Sequence, residues 1–123
     1  MKKTAFFLSS LLLGSAATFA QMTCVVAHRG YWDAEGSAQN SIRALVKADS
    51  IDCYGSEFDV WMTADKNLVV NHDPDINGIH IETAKAKDVL AQKLSNGESV
   101  PTLEQYLDSS LSLKPRLILE LKP

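Results

Sequence analysis

Apolar runs alternate with helical patterns along the chain. Residues 24–27 (CVVA) make a short apolar run that Gly30 stops, which predicts a buried strand. Residues 40–48 place Ile42, Leu45 and Val46 on one helical face, with Asn40 as N-cap. Further strands are predicted at 56–61 and 68–71, joined by a polar turn over 64–67. Residues 76–81 read as a loop or short extended segment, and Thr83 opens a predicted helix running to about Leu94 that Asn96-Gly97 breaks. Thr102-Leu103-Glu104-Gln105 has the capping-box form and opens a short helix through Leu107 to about Leu111. The run 116–121 (RLILEL) is a fourth strand candidate.

Strands of near-continuous apolar character separated by helices predict a parallel sheet with covered faces. Four candidate strands cannot close an eight-stranded barrel, which usually takes around 250 residues. The pattern therefore predicts either a small open sheet or an incomplete chain, and a last strand with no helix after it favours the second. Open edges on such a sheet invite aggregation.

The first residues read differently. Lys2 and Lys3, an apolar stretch over 5–13 and Thr18-Phe19-Ala20 form a secretory leader over 1–20, with cleavage predicted before Gln21 and a domain over 21–123. The apolar stretch is too short for a comfortable membrane span, so the reading is an exported protein, periplasmic or secreted, without a stable membrane anchor. With 46% hydrophobic residues in 123, the chain is neither disordered nor collagen-like. Its formal charge of −3 becomes −5 once Lys2 and Lys3 leave, which argues against a nucleic-acid surface. An anionic ligand would then need a local cation. Two cysteines, Cys24 and Cys53, remain in a compartment that permits pairing; they form either a disulfide or two buried free thiols.

Charge sits where the strand pattern predicts burial. Side chains alternate across a strand, so Glu57 and Asp59 share one face while Phe58 and Val60 take the other, and Glu120 and Lys122 share a face in the same way. These pairs, with His28-Arg29 and His72-Asp73, fall near predicted strand C-termini, the end that carries ligands in parallel α/β folds. Unpaired buried carboxylates cost several kcal/mol each. Ion pairs with Arg29 and Lys122, protonation, or a bound cation would each compensate. Three carboxylates without thiolates or clustered imidazoles suit a hard ion, Mg²⁺ or Ca²⁺, better than zinc.

The ordered set His28-Arg29-Gly30, Gln39-Asn40 before a helix, Glu57-Phe58-Asp59, the Thr63-Ala64-Asp65 turn, His72-Asp73, Pro101-Thr102-Leu103-Glu104 and Glu120-Leu121-Lys122 resembles the glycerophosphodiester phosphodiesterase family across the mature chain. The resemblance implies a (β/α)₈ TIM-type barrel, of which this chain would be about the first half. It also implies metal-dependent hydrolysis of a small-molecule glycerophosphodiester to an alcohol and glycerol 3-phosphate. Carried over by position, Glu57, Asp59 and Glu120 are metal ligands for Ca²⁺ or Mg²⁺, His28 and His72 the acid and base pair, and Arg29 and Lys122 phosphate clamps. It further implies attack by the neighbouring glycerol hydroxyl, giving a cyclic phosphate that water opens. Relatives usually read Glu-Asn where this chain has Gln39-Asn40, so a role there that needs a carboxylate is not expected. A related lipid phosphodiesterase acting on sphingomyelin or lysophospholipid, and a fragment that binds metal without turnover, are the alternatives.

Other residues have plainer readings. Asp73 either orients His72 or turns the chain before Pro74. Tyr31 and Trp32 either shape a pocket or pack in the core. His80 reads as structural or exposed, and Asp33, Glu35, Asp65, Asp75 and the 85–88 stretch as solvated surface.

Overall fold

A computed structural model describes residues 22–123; the predicted leader over 1–20 lies outside the described residues. The elements in order are β1 (Val26–Ala27), α1 (Ile42–Ser50), β2 (Gly55–Met62), β3 (Leu68–Val70), β4 (Asp75–Ile76), β5 (Ile79–His80), a 3-10 turn (Ile81–Thr83), α2 (Ala86–Leu90), α3 (Leu103–Ser110) and β6 (Arg116–Leu121). No helix among the described residues is long and apolar enough to cross a membrane.

β2 organises the sheet. It pairs in parallel with β1 from Val26↔Gly55 and with β6 from Gly55↔Arg116 to Val60↔Leu121. The backbone groups of Gly55 and Asp59 point to one edge, toward Val25 and Asn71, whereas Val60 points to the other and accepts from Lys122. β1 and β3 therefore follow one another along one edge of β2, and β6 takes the opposite edge.

The expected all-parallel sheet fails at β3, which is antiparallel to β2 with Val60 opposite Val70 and Met62 opposite Leu68. The short connection explains this: a parallel return needs a crossover of a dozen or more residues. Here Lys66 adopts φ 64° and the Thr63 hydroxyl donates to Asp65 and accepts from the Asn67 amide, closing a tight turn. Because β3 doubles back, His72 returns to the level of Asp59, whose carbonyl accepts from the Asn71 amide.

Two apolar clusters hold this frame. Phe58 and Val60 of β2 pack with Leu45, Val70 and Tyr106, the Phe58 and Tyr106 rings stacking 4.5 Å apart. Trp61 and Val69 pack with Ile76, Ile81, Val89 and Val100. Gly30, at φ 74°, lets the first loop close on α1; a Cβ there would lie 2.6 Å from Ala44 Cβ.

Several boundaries shift. α1 is capped by Ser41, whose hydroxyl accepts from the Ala44 amide, and Asn40 is released for another task. Its buried residues are Ala44, Leu45 and Ala48, while Val46 is exposed. The helix predicted after Thr83 is only α2, with Lys93 bridging to Ser99 instead. Residues 76–81 hold the β4–β5 hairpin around Asn77-Gly78, both at positive φ. The capping box at Thr102 and Gln105 forms as predicted.

The outer strands are less covered than their apolar runs imply. Val25, Val26, Leu119 and Leu121 are exposed. Among the described residues β1 and β6 each pair along one edge only, and α1 and α3 pack over β2 and β3. Continuing the β1–β2 register places Cys24 level with Cys53, yet both are free thiols, Cys24 exposed and Cys53 buried.

Candidate metal and phosphate site

Glu57 and Asp59 project from the same face of β2, and Glu120 joins them because β6 pairs Asp59 with Glu120 in register. One carboxylate oxygen from each lies within 4.8 Å of the others. Asp59 is fully buried, Glu57 half-buried and Glu120 exposed. Three acidic groups this close repel unless cations or donors separate them.

Asp59 is the best supported. Asn40 Nδ2 donates to its Oδ2 at 2.8 Å, and the Asp59 amide donates back to Asn40 Oδ1 at 3.2 Å. Lys122 Nζ stands 2.9 Å from Asp59 Oδ1 and donates to Glu120 Oε1 at 2.5 Å. Burial alone would raise the Asp59 carboxyl; the hydrogen bond from Asn40 and the ion pair with Lys122 outweigh it and hold the group below its ordinary value. Lys122 is held above its ordinary value, first by the bond to Glu120 and then by the nearby Asp59 carboxylate.

Arg29 fans out across the other side of the cluster. Its backbone, at φ 59°, donates to Glu57 Oε2 at 2.9 Å. Nη1 donates to Gln39 Oε1 at 2.7 Å, Nη2 lies 2.7 Å from His72 Nε2, and Nε is 4.0 Å from Asp59 Oδ2. A guanidinium only donates, so His72 Nε2 accepts and its proton sits on Nδ1, directed at Asp73 Oδ1 2.7 Å away. Asp73 thus orients His72. His28 stands at the rim, two-thirds exposed, with Nε2 3.8 Å from Glu57 Oε2.

Glu57 Oε1, Asp59 Oδ1 and Arg29 Nε are buried without a hydrogen-bond partner. Lys122 is close to Asp59 Oδ1 but not along a hydrogen-bond direction. Buried orphan oxygens need an explanation, and a hard cation between Glu57, Asp59 and Glu120 fits this all-oxygen donor set. The ion pairs with Lys122 and Arg29 therefore compensate the cluster only in part.

Every residue singled out as ligand, clamp or acid–base group lies in this one network. Sequence reasoning missed Asn40, read as a helix cap; its neighbour Ser41 is also a capping residue type, which was the available signal that the cap could shift and free Asn40. Tyr31 and Trp32 are partly exposed rather than core residues. His80 is exposed but lies 2.9 Å from Asp75 and 3.7 Å from Glu82, in the β4–β5 hairpin. A surface groove of about 480 Å³ between the β2–β3 turn and α3 includes no residue of the carboxylate cluster.

No family model matches the chain. A curated glycerophosphodiester phosphodiesterase from Caldanaerobacter subterraneus subsp. tengcongensis is 30% identical over 98 residues, covering 70% of this chain and 40% of that protein. A crystal structure of a glycerophosphodiester phosphodiesterase from Parabacteroides distasonis aligns with a TM-score of 0.80 and 58% identity over 81% of this chain and 42% of the other. A phosphodiesterase from Oleispira antarctica, in complex with the product sn-glycerol-3-phosphate, aligns with a TM-score of 0.69 and 26% identity over 82% of this chain and 45% of the other. The chain thus spans less than half the length of these relatives. The fold is α/β of the (β/α)₈ TIM-barrel type, with the described residues corresponding to part of that barrel.

Proposed function

We propose, from a chain that matches part of the glycerophosphodiester phosphodiesterases in sequence and fold, that the protein hydrolyses glycerophosphodiesters to an alcohol and glycerol 3-phosphate. The observation that carries this reading is the meeting of Glu57, Asp59 and Glu120 beside Arg29, Lys122, His28 and His72, with orphan oxygens on Glu57 and Asp59. Glu57, Asp59 and Glu120 would hold Ca²⁺ or Mg²⁺, which when bound supplies positive charge for the non-bridging phosphate oxygens.

The chain's own residues account for the remaining needs of the reaction. Arg29 and Lys122 bind and orient the phosphate, Arg29 through Nε, which has no partner, and through Nη2 once it leaves His72. His72 Nε2 carries a lone pair and takes the proton of the attacking hydroxyl, while Asp73 stabilises the imidazolium that results. His28, exposed at the rim, delivers a proton to the departing alkoxide as the phosphorus–oxygen bond breaks, leaving a cyclic phosphate. With the roles of the two histidines reversed, His28 takes a proton from water, which attacks phosphorus, and His72 returns its proton to the glycerol oxygen released as the ring opens to glycerol 3-phosphate. The leader read over residues 1–20 supports an exported, periplasmic or secreted, location for this activity.

Purified protein incubated with glycerophosphocholine should release choline with Ca²⁺ or Mg²⁺ present and stop on EDTA addition. His28→Ala and His72→Ala should abolish release while metal binding persists. Release unaffected by EDTA, full turnover in either variant, or no release with the ion present would refute the reading.

A further inference from the structure

We propose that Gln39 is a positioning residue that holds Arg29 through an uncharged acceptor, so that the guanidinium keeps its positive charge for an anionic phosphate; the inference rests on the phosphodiesterase reading above. Arg29 is one-fifth exposed, and the two side-chain atoms that meet its terminal nitrogens are Gln39 Oε1 and His72 Nε2, each at 2.7 Å. Both are neutral, because an imidazole that accepts from a guanidinium carries no proton on that nitrogen. The carboxylate closest to Arg29's side chain is Asp59, 4.0 Å from Nε, and it is already engaged by Asn40 at 2.8 Å and Lys122 at 2.9 Å. Planar two-point holding of this kind fixes a guanidinium without neutralising it, unlike a carboxylate fork.

The charge balance of the three metal-facing carboxylates and the two clamps, with Asp73 set apart on the solvent side of His72, gives this a consequence. Three carboxylates against Arg29 and Lys122 leave one net negative charge, which a divalent ion turns into one net positive. That matches the single negative charge of a phosphodiester group. A carboxylate at position 39 would cancel it. Gln39 therefore moves the site toward the anion and away from the metal, and replacing it with a carboxylate should shift the two affinities in opposite directions. Loss of structure would weaken both.

Calorimetric titration of the full chain tests this, first with Ca²⁺ alone and then with sn-glycerol 3-phosphate at saturating Ca²⁺. Gln39→Glu should bind Ca²⁺ several-fold tighter and glycerol 3-phosphate on the order of tenfold weaker, the scale of one added charge close to a partly buried site. Gln39→Ala should weaken glycerol 3-phosphate with Ca²⁺ affinity unchanged, and it keeps the question decidable if Gln39→Glu does not fold. If wild-type protein binds Ca²⁺ and glycerol 3-phosphate but Gln39→Glu weakens both or neither, or Gln39→Ala binds glycerol 3-phosphate with full affinity, the inference falls and the functional reading stands. If wild-type protein binds Ca²⁺ but not glycerol 3-phosphate, the functional reading falls and takes the inference with it.

Discussion

Replacing Asn40 with alanine removes two hydrogen bonds from one fully buried aspartate. The first, from Nδ2 to Asp59 Oδ2 at 2.8 Å, goes to a charged acceptor and contributes about 1.5–3 kcal/mol. The second, from the Asp59 amide to Asn40 Oδ1 at 3.2 Å, leaves a donor in the sheet unpaired when lost, at about 1–3 kcal/mol. Alanine at the φ of 59° that Asn40 adopts costs roughly a further 1 kcal/mol, because a Cβ without a local hydrogen bond is disfavoured there. These effects share one site and do not simply add, so the expected loss is about 3–5 kcal/mol. In urea unfolding, with a slope of about 1–2 kcal/mol per molar, the midpoint should fall by roughly 1.5–5 M. Asp59→Asn supplies the control, since Asn40→Ala in that background lacks the charged bond and should cost clearly less. A loss below about 1 kcal/mol, or an equal loss in both backgrounds, would show that Asn40 does not brace the Asp59 charge.

Gly30→Ala should destabilise by about 2 kcal/mol or more, as its Cβ would meet Ala44 at 2.6 Å from a left-handed backbone, whereas Gly78→Ala has open space and should lose only about 1 kcal/mol; thermal unfolding of the two variants compares them. Asp59 has a lowered carboxyl value, so its contribution to stability is complete above the ordinary aspartate value of about 3.9 and is lost as pH falls through the lower folded value. Acid unfolding should show that loss, and Asn40→Ala should move it to higher pH; an unmoved acid limb would contradict the assignment. Thr102→Ala deletes the hydroxyl that accepts from the Gln105 amide and should cost about 1 kcal/mol in urea unfolding.

The site was legible because period-two alternation is a local property. Glu57 with Asp59, and Glu120 with Lys122, had to share faces once their strands were recognised, and the parallel β2–β6 register aligned the two pairs. The route of His72 to the site was not legible in the same way. The pattern of residues 68–71 marks a strand but not its direction, which the five-residue link set. Asn40 shows a second limit, since a capping residue type has a local use and a tertiary one, and Ser41 beside it satisfied the local need. Thr83 is a capping residue type but ends the 3-10 turn, and α2 starts at Ala86 with no side-chain cap at Lys85, whereas the capping box marked the start of α3 correctly. Burial of β1 and β6 was overstated for a related reason: an apolar run reports what a strand is able to bury, whereas the partners that cover it lie elsewhere in the fold.

Calorimetric titration of metal-free protein with Ca²⁺ or Mg²⁺ tests the central claim most directly. One ion should bind per chain, and Asp59→Asn and Glu57→Gln should each abolish the signal while the protein remains folded. Binding of the same strength in those variants, or none in the wild type, would show that the three carboxylates are held by Arg29 and Lys122 alone and that this is not a metal site.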